Sequence, residues 1–254
     1  MDAKFLELIE RTLDEVLPNE SERPAALSSA MRHAVGSGGK RIRPLITLAS
    51  AIACSGTAED ARYPAAAIEL LHNYTLIHDD LPAMDNDVER RGKPTVWKKF
   101  GEAAAILAGD ALQALAFKTA ALAPKNAAKV SRELAKAAFG VVSGQVEDIE
   151  HTKDVAYIYE HKTADLFIAA AKMGGYAAGA PEGAIAALGD FALNLGLAFQ
   201  YEDDILDGDS PYPREKTEAL AKETTREAIA ALSRLPGDTS LLAGIASSLL
   251  GRSR

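Results

Sequence analysis

The stretch from Ile77 to Thr95 has the highest density of residues that could do chemistry, and it reads I-H-D-D-L-P-A-M-D-N-D-V-E-R-R-G-K-P-T. It holds four carboxylates followed at once by three cations: Asp79, Asp80, Asp85 and Asp87, then Arg90, Arg91 and Lys93. Carboxylates this dense need a compensating charge if they are packed rather than solvated. A divalent metal is the usual solution, and oxygen-only ligands favour Mg²⁺. Because Arg and Lys suit phosphate oxygens, the stretch predicts a diphosphate bridged to the protein through Mg²⁺.

A second acidic stretch, F-Q-Y-E-D-D-I-L-D, runs from Phe199 to Asp207. The Ala- and Leu-rich residues before it predict a helix, and continuing that helix puts Asp203 and Asp207 on one face. Like charges at this spacing repel each other, so they indicate a ligand that compensates them. For either cluster alone, the alternative to a functional site is an ordinary solvated helix end. Two such clusters with basic partners make that alternative less attractive.

The helix before the first cluster should carry Asp79 near its end. Asp85 lies six residues later, which is out of phase with Asp79 on a straight helix. Pro82 lies between them and should kink or loosen the helix. We therefore expect the chain to bring Asp85 back beside Asp79.

A glycine-rich turn with basic residues precedes both clusters. Gly36, Gly38 and Gly39 break a predicted helix, and the sequence then continues K-R-I-R-P to Pro44. The glycines allow close approach to an anion that the cations can hold. The turn is not a P-loop, because no Ser or Thr follows Lys40 and no strand precedes the glycines.

Together these motifs resemble the polyprenyl diphosphate synthase family, and specifically short-chain trans-prenyltransferases of the bacterial farnesyl diphosphate synthase type. D-D-L-P-A-M-D resembles the first aspartate-rich motif of that family, and D-D-I-L-D resembles the second. The resemblance covers about residues 28 to 207 in the right order. It extends to further motifs: G-G-K-R-I-R-P from Gly38, R-R-G-K-P-T from Arg90, A-G-D-A-L from Ala108, G-Q-x-x-D from Gly144 to Asp148, and H-K-T-A from His161.

The resemblance implies a set of functional residues. Isopentenyl diphosphate would be bound by Lys40, Arg43, His72 and Arg91. The allylic diphosphate would be held by Arg90, Lys162, Thr163, Gln200 and Lys216, although the region after Asp207 is shorter than the family's and leaves the closing lysine open, with Arg214 as the alternative. Metal ligands would be Asp79, Asp85 and Asp203, with Asp80, Asp204 and Asp207 as second ligands or outer-shell groups. The cofactor would be Mg²⁺, with three ions by analogy with the family.

The implied reaction joins isopentenyl diphosphate head to tail to an allylic diphosphate (dimethylallyl or geranyl). Asp79, Asp85, Arg90, Lys162 and Asp203 would carry the catalysis, with the metal as Lewis acid and template. Tyr74 and Thr75 occupy the fifth and fourth positions before Asp79, where the family places the floor of its product tunnel. A bulky Tyr74 should stop growth at C15, which predicts farnesyl diphosphate as the product.

Other readings stay open. Within enzymes, these are a geranyl or geranylgeranyl diphosphate synthase. A non-catalytic, synthase-like regulatory subunit would fit the shortened region after Asp207, but both aspartate motifs are intact. A terpene cyclase would not need a second diphosphate site, and a purely structural helical protein would need neither motif.

Composition limits the class of protein. The chain has 254 residues, 48% of them hydrophobic and 25% charged, with a net charge of −8, so a general nucleic-acid binder is not expected. Its single cysteine, Cys54, excludes an internal disulfide and a Cys-based zinc cluster. The N-terminus reads as an amphipathic helix rather than a signal peptide, and no apolar run is judged long enough to span a membrane. We expect a cytoplasmic protein and, from the resemblance, a homodimer.

Ala is abundant and aromatic residues are only 6% of the chain, which favours helices. Apolar periodicity and helix breakers predict about ten helices in one all-α domain over residues 1–254, around a central cleft. The resemblance names this architecture the isoprenoid synthase fold. The predicted helices include single ones over Tyr63–Asp80, Lys125–Gln145 and Val155–Ala178, and the final G-R-S-R is expected to fray.

Overall fold

A computed structural model describes residues 3–250 of the chain. It consists of helices joined by short loops, with one small hairpin. The α-helices are α1 (Ala3–Val16), α2 (Ala25–Val35), α3 (Ile42–Ala53), α4 (Arg62–Asp79), α5 (Val96–Phe100), α6 (Glu102–Ala120), α7 (Ala127–Ile149), α8 (Val155–Ile158), α9 (Asp165–Ala178), α10 (Glu182–Asp207), α11 (Arg214–Ala231) and α12 (Ser240–Ser247). Glu59–Ala61 and Leu232–Arg234 form 3₁₀ turns, and Tyr159–Ala164 forms a π-helical turn between α8 and α9. The expected frayed end, residues 251–254, lies outside the described residues.

The core lies among α3, α4, α9 and α10, which pack on one another and on α6, α7 and α11. Small Ala side chains occupy many of the fully buried positions, so the helices approach closely, and larger residues such as Phe167 and Phe191 fill the remaining space. Burial of these apolar faces, more than helix propensity, stabilises the individual helices. The all-α prediction is therefore confirmed, and the core helices form the walls of a cleft.

The predicted single helix Val155–Ala178 is wrong in one respect. The α-helical pattern stops at Ile158, a π-turn covers Tyr159–Ala164, and the α-helix resumes at Asp165. The extra residue of a π-turn rotates the side chains before it relative to those after it. Apolar periodicity misses this insertion because both flanking segments remain helical.

Two other boundaries also differ from the sequence prediction. Helix α7 begins at Ala127, because Asn126 takes a left-handed conformation (φ 52°) and its side-chain amide donates to the carbonyl of Tyr176 at 2.9 Å, and it runs on to Ile149. A short antiparallel hairpin joins β1 (Glu89–Arg90) to β2 (Lys93–Pro94). Its two turn residues, Arg91 and Gly92, both have positive φ, as a tight two-residue hairpin requires.

Helix α10 passes the length and composition test for a membrane span, contrary to the expectation that no segment would. Half of its apolar window is buried inside the protein, and Phe191 and Leu195 lie in the core. These properties are those of a central core helix, and its C-terminal end carries the second acidic cluster.

Candidate active site

The first acidic cluster lies where α4 ends. The helix stops at Asp79 instead of continuing with a kink, and the backbone N–H of Asp85 donates to the carbonyl of Asp79 at 2.9 Å. Asn86 then takes a left-handed conformation and its N–H donates to the carbonyl of Leu81 at 3.1 Å. The predicted return of Asp85 to the side of Asp79 is confirmed, and a tight turn after the helix produces it.

The electrostatic environment of Asp79 favours a cation. Burial raises the pKa of Asp79 to about 6, with Asp85 and Asp80 adding to the effect, while Lys162 and Arg90 oppose it. The ammonium group of Lys162 is therefore close enough to influence a carboxylate at the end of α4. A divalent ion beside Asp79 and Asp85 would relieve both the burial penalty and the repulsion.

Asp80 is buried and forms an ion pair with Arg90. The Nε and Nη2 atoms of Arg90 both lie 2.7 Å from Oδ1 of Asp80, and Nη2 also lies 3.4 Å from Asp87. Burial raises the pKa of Asp80, and its hydrogen bonds with Arg90 work against that rise. Arg90, predicted to contact diphosphate, is thus held in place by carboxylates of the first cluster.

A basic cavity of about 810 Å³ opens beside these groups. The predicted anion-binding residues meet there, together with one carboxylate of the second cluster: Lys40, Arg43, His72, Arg90, Arg91 and Asp203 all line it. The cations come from the loop after α2, from α3 and from the hairpin, and α4 contributes His72. Such convergence of positive charge on one concave surface is suited to a phosphate group.

Arg43 and His72 form the inner end of this cavity. Nη1 of Arg43 lies 3.3 Å from Nε2 of His72, and the guanidinium also lies 4.8 Å from the centre of the Phe167 ring. Burial lowers the pKa of Arg43 to about 10, and burial together with Arg43 lowers the pKa of His72 well below its usual value. A neutral His72 accepts from Arg43. The Nε atom of Arg43 and the Nδ1 atom of His72 are buried without a protein partner, and with Nε2 of His72 accepting, both are N–H donors suited to an anionic ligand.

The hairpin is fixed onto the glycine-rich turn. Arg91 donates through Nη1 to the carbonyl of Gly38, and Lys93 donates to the carbonyl of Gly36 at 2.9 Å. His33 of α2 donates to the carbonyl of Pro94 at 2.8 Å. The hairpin therefore couples the turn that lines the basic cavity to the loop that carries the first acidic cluster.

The π-turn carries Lys162 and Thr163. The Nζ atom of Lys162 lies 2.6 Å from Oδ2 of Asp148, and Thr163 donates to Oε1 of Gln200 at 2.7 Å. The π-turn packs closely against two glycines. A Cβ on Gly196 would lie 2.6 Å from Cα of Ala164, and a Cβ on Gly144 would collide with the backbone at Lys162. The G-Q pattern noted in the sequence thus includes a packing requirement.

The second acidic cluster lies at the C-terminal end of α10, as predicted. Asp203 lines the basic cavity and interacts electrostatically with Arg43. Asp204 is buried, and its carboxylate accepts from Gln200 at 2.9 Å and from the hydroxyl of Tyr159. Asp207 is the last residue of the helix and is exposed. A second cavity, of about 320 Å³, lies between this cluster and the π-turn; Asp148, Lys162, Gln200 and Asp204 are among its lining residues.

Three further predicted residues lie away from these contacts. Tyr74 is half-buried on α4, with its ring 4.9 Å from that of His78, and Thr75 donates to the carbonyl of His72 at 2.8 Å. Lys216 lies on the first turn of α11, exposed, with Nζ 4.2 Å from the centre of the Tyr212 ring. Lys216 lines neither of the two cavities.

The donor set fits a hard divalent cation. Within residues 3–250, no three acidic or histidine side chains converge closely enough to form a ready-made metal site. The carboxylates instead stand on two walls, at the end of α4 and at the end of α10. All the donors are oxygen atoms, which suits Mg²⁺ ions that also take ligands from a bound diphosphate.

The sequence grouped Arg41 with Lys40 and Arg43 as cations that could hold an anion, and the structure gives it a structural role that the sequence did not indicate. Arg41, only 4% exposed, pairs with Glu10 and Glu69 at 2.7 Å each and donates to the carbonyl of Val35. It therefore joins α1, α4 and the end of α2 at the wall of the basic cavity. Tyr159 gave no sequence signal, because its partner Asp204 is 45 residues away.

Comparisons with known proteins identify the family of the chain. A family model described as polyprenyl synthetase matches residues 24–222. Geranylgeranyl pyrophosphate synthase 4 of Arabidopsis thaliana is 40% identical over 238 residues, covering 88% of this chain and 62% of the relative. The farnesyl diphosphate synthase of Geobacillus stearothermophilus is 41% identical over 221 residues, covering 80% of this chain and 74% of the relative. The chain thus spans less than two thirds of the Arabidopsis protein's length.

Solved structures give the same result for the fold. The FPP/GFPP synthase from Zymomonas mobilis superposes with a TM-score of 0.89 at 34% identity, covering 98% of each chain. Geranylgeranyl pyrophosphate synthetase from Pyrococcus horikoshii superposes with a TM-score of 0.89 at 31% identity, covering 98% of this chain and 97% of the other. The expected isoprenoid synthase fold is confirmed. With a family model that covers most of its length and relatives that match most of it at about 40% identity, the chain belongs to the polyprenyl synthetase family of prenyltransferases.

Proposed function

We propose that the protein condenses isopentenyl diphosphate head to tail with dimethylallyl or geranyl diphosphate and releases farnesyl diphosphate. The observation that carries this proposal is the basic cavity, whose wall includes Asp203 of the second acidic cluster. An anion site directly beside metal-binding carboxylates suits two diphosphates whose reacting carbons must meet. A terpene cyclase binds one diphosphate and would have no use for the second site.

Isopentenyl diphosphate, the homoallylic substrate, is assigned to the basic cavity. Lys40, Arg43, His72 and Arg91 would hold the diphosphate of isopentenyl diphosphate, and the buried Nε of Arg43 and Nδ1 of His72 support this assignment because they have no protein partner. A bound diphosphate would accept hydrogen bonds from both sides of the cavity. Binding energy collected there would orient the double bond.

The allylic substrate is assigned to the space between the two acidic clusters. Arg90, Lys162, Thr163 and Gln200 would contact it, and Lys216 would approach only if the start of α11 moves inward. Asp79, Asp85 and Asp203 are the proposed Mg²⁺ ligands, with Asp80, Asp204 and Asp207 as second or outer-shell groups, for about three ions. When bound, Mg²⁺ would supply Lewis-acid stabilisation of the leaving diphosphate.

The chain's own groups have separate tasks in the reaction. Lys162 and Arg90 would stabilise the negative charge that develops as the allylic C–O bond breaks. The basic cavity would keep the attacking double bond near the allylic cation. The apolar helix faces would exclude water, which otherwise captures the cation. The departed diphosphate would accept the final proton, because no His or Glu side chain among the described residues is placed as an obvious base.

Chain length is assigned to Tyr74. It lies on α4, five residues before Asp79, where the resemblance places the floor of the product tunnel, and a bulky ring there would stop growth at C15. The alternative product is geranylgeranyl diphosphate, since several relatives carry that name, including the Arabidopsis protein described above. A geranyl diphosphate synthase and a regulatory subunit remain further alternatives, the latter motivated by Lys216 lying outside both cavities.

A homodimer is also proposed. Helix α7 exposes four large apolar residues at helical spacing: Phe139, Val142, Val146 and Ile149. Phe139 is 78% exposed, and Ile106 and Leu107 on the adjacent α6 are exposed as well. A contiguous apolar surface of this kind is typical of a protein interface. We further propose that residues 1–254 act as one polyprenyl synthase domain in the cytoplasm.

The test is a product assay. The protein is incubated with Mg²⁺, labelled isopentenyl diphosphate and either dimethylallyl or geranyl diphosphate, and the products are separated by length. A C15 product that disappears with EDTA or with Asp79→Ala supports the proposal. A C20 or C10 product selects the corresponding alternative synthase. No product, with diphosphate still bound, favours the regulatory subunit.

A further inference from the structure

A closed set of hydrogen bonds joins the π-turn to the second acidic cluster. The hydroxyl of Tyr159 donates to Oδ2 of Asp204, and Oδ1 of Asp204 accepts from Nε2 of Gln200 at 2.9 Å. The Oε1 atom of Gln200 accepts from the hydroxyl of Thr163 at 2.7 Å. The set starts at the first residue of the π-turn, crosses to α10 and returns to the same turn four residues later. We call these four residues the π-turn network.

The network fixes the orientation of the Gln200 amide. An ionised carboxylate only accepts hydrogen bonds, so Asp204 requires the NH₂ group of Gln200 on its side. The carbonyl oxygen of Gln200 must then face Thr163, whose hydroxyl hydrogen it takes. Loss of this constraint would let the amide turn over and release Thr163.

Tyr159 holds the far end of the network. Its side chain is buried, and its ring lies edge-on against that of Tyr201 at 5.6 Å between ring centres. Asp204 is 6% exposed, so water can replace the Tyr159 hydroxyl only poorly. A buried carboxylate that loses a donor is strongly destabilised, and its neighbours are expected to rearrange to supply another.

The π-turn network also restricts the position of the backbone that carries the Lys162 side chain. Lys162 lies between Tyr159 and Thr163 in sequence on the same π-turn, and Gly144 and Gly196 leave that turn little space to shift. Tyr159, Lys162, Gln200 and Asp204 line the smaller cavity together. The residues that line the basic cavity include none of these four. The network therefore acts on one of the two substrate positions.

We propose that Tyr159 is a positioning residue for the allylic half of the site: its hydroxyl, acting through Asp204, holds the Gln200 amide in one orientation and fixes the π-turn that presents Lys162 and Thr163. This inference rests on the proposed function, because it assigns the allylic diphosphate to Lys162. It also gives Asp204 a role that does not require direct binding to metal.

The test is the variant Tyr159→Phe, which keeps the ring and removes only the hydroxyl. Because a hydrogen bond to a buried charge is lost, KM for the allylic diphosphate should rise about tenfold. KM for isopentenyl diphosphate should stay within about twofold, since the basic cavity does not include Tyr159. The matched control is Tyr157→Phe, two residues earlier at the surface. Assays are run well below the melting temperature of each variant.

A coupling measurement separates positioning from simple stabilisation. In an Asp204→Asn background, Tyr159→Phe should change KM for the allylic diphosphate by less than about twofold, because the carboxylate that needs the hydroxyl is gone. Equal increases in both KM values, or additive effects in the two backgrounds, would overturn the inference.

Failure of the proposed function would look different. If the wild-type protein forms no prenyl product, that function is wrong, and titration calorimetry with inorganic diphosphate and Mg²⁺ decides the inference. Weaker binding to Tyr159→Phe than to Tyr157→Phe would then support a positioning role for Tyr159. Equal binding of diphosphate to the two variants would show that Tyr159 has no positioning role.

Discussion

The ammonium group of Lys162 lies 2.6 Å from the carboxylate of Asp148 while it also lowers the pKa of Asp79 across the cleft. Both partners of the Lys162–Asp148 pair are partly exposed, with side-chain exposures of 35% and 44%. Such pairs contribute little to stability, so a diphosphate can displace Asp148 from Lys162.

This relationship predicts unequal effects of two substitutions. Lys162→Ala should lower kcat/KM by about 10- to 100-fold, because a charge-assisted contact to diphosphate is lost. Asp148→Asn should change kcat/KM by less than about fivefold, as expected for a partly exposed ion pair. Steady-state kinetics with geranyl diphosphate provide the measurement. A larger effect for Asp148→Asn than for Lys162→Ala would mean that Asp148 is itself required for substrate binding.

Tyr74→Ala should lengthen the product. Removing the ring opens space on α4 below Asp79, so the chain should grow past C15 to C20 or longer. Chromatography of the labelled products measures the change. Thr75→Ala, at the neighbouring floor position, should lengthen the product less, because its side chain is smaller and donates to a backbone carbonyl of its own helix. If the variant is active but its product still stops at C15, Tyr74 does not determine the chain length.

Gly144→Ala should damage both stability and activity. The added Cβ would collide with the backbone of the π-turn at Lys162, and such overpacking costs about 1–3 kcal/mol. Gly183→Ala on α10 is the matched control, because a Cβ there meets no other atom within 4 Å. That control should be neutral or stabilising by up to about 1 kcal/mol. Denaturant unfolding compares the two, and similar curves for both variants would contradict the close approach.

His72 should make stability depend on pH. Burial and Arg43 lower the pKa of His72 in the folded state, so between that lowered value and about 6.5 the unfolded chain binds the proton more readily. The stabilising contribution is complete above about pH 6.5 and is lost as the pH falls towards the folded pKa. Asp79, whose pKa is raised to about 6, has the opposite sign: its contribution is lost as the pH rises through about 6.

The two contributions can be separated by substitution. The free energy of unfolding measured from pH 5 to pH 8 should fall less steeply on the acid side in His72→Gln than in the wild type. Asp79→Asn should steepen the same acid-side fall, because it removes the opposing contribution. Identical pH profiles for wild type and His72→Gln would show that His72 is not held neutral.

Phe139→Asp should weaken the proposed dimer. A charge placed in the centre of the apolar face of α7 would have to be desolvated at the interface. Sedimentation at several protein concentrations should show a shift toward monomer. Leu122→Asp, at an exposed position outside that face, should leave the association unchanged. A wild-type protein that stays monomeric at all concentrations would contradict the proposal itself.

Local sequence patterns were enough to predict the helical fold and to name most residues of the candidate site. Apolar periodicity and helix breakers predicted nearly all the long helices, because short-range backbone sterics and one-sided burial decide them. The two aspartate clusters and the glycine-rich basic turn are contiguous in sequence, so their chemistry could be read without coordinates. The return of Asp85 to Asp79 also followed from local information, namely Pro82 between them.

The pairing of these groups, in contrast, depends on how the whole chain packs. Three features depend on how separate segments meet. They are the hydrogen bond from Tyr159 to Asp204, the burial of Arg41 between Glu10 and Glu69, and the ion pair of Asp80 with Arg90. Likewise, the π-turn at Lys162 exists where α7 and α10 offer glycines that let its widened backbone fit. Residue spacing cannot reveal these features, because they depend on distances between segments that only packing of the whole chain fixes.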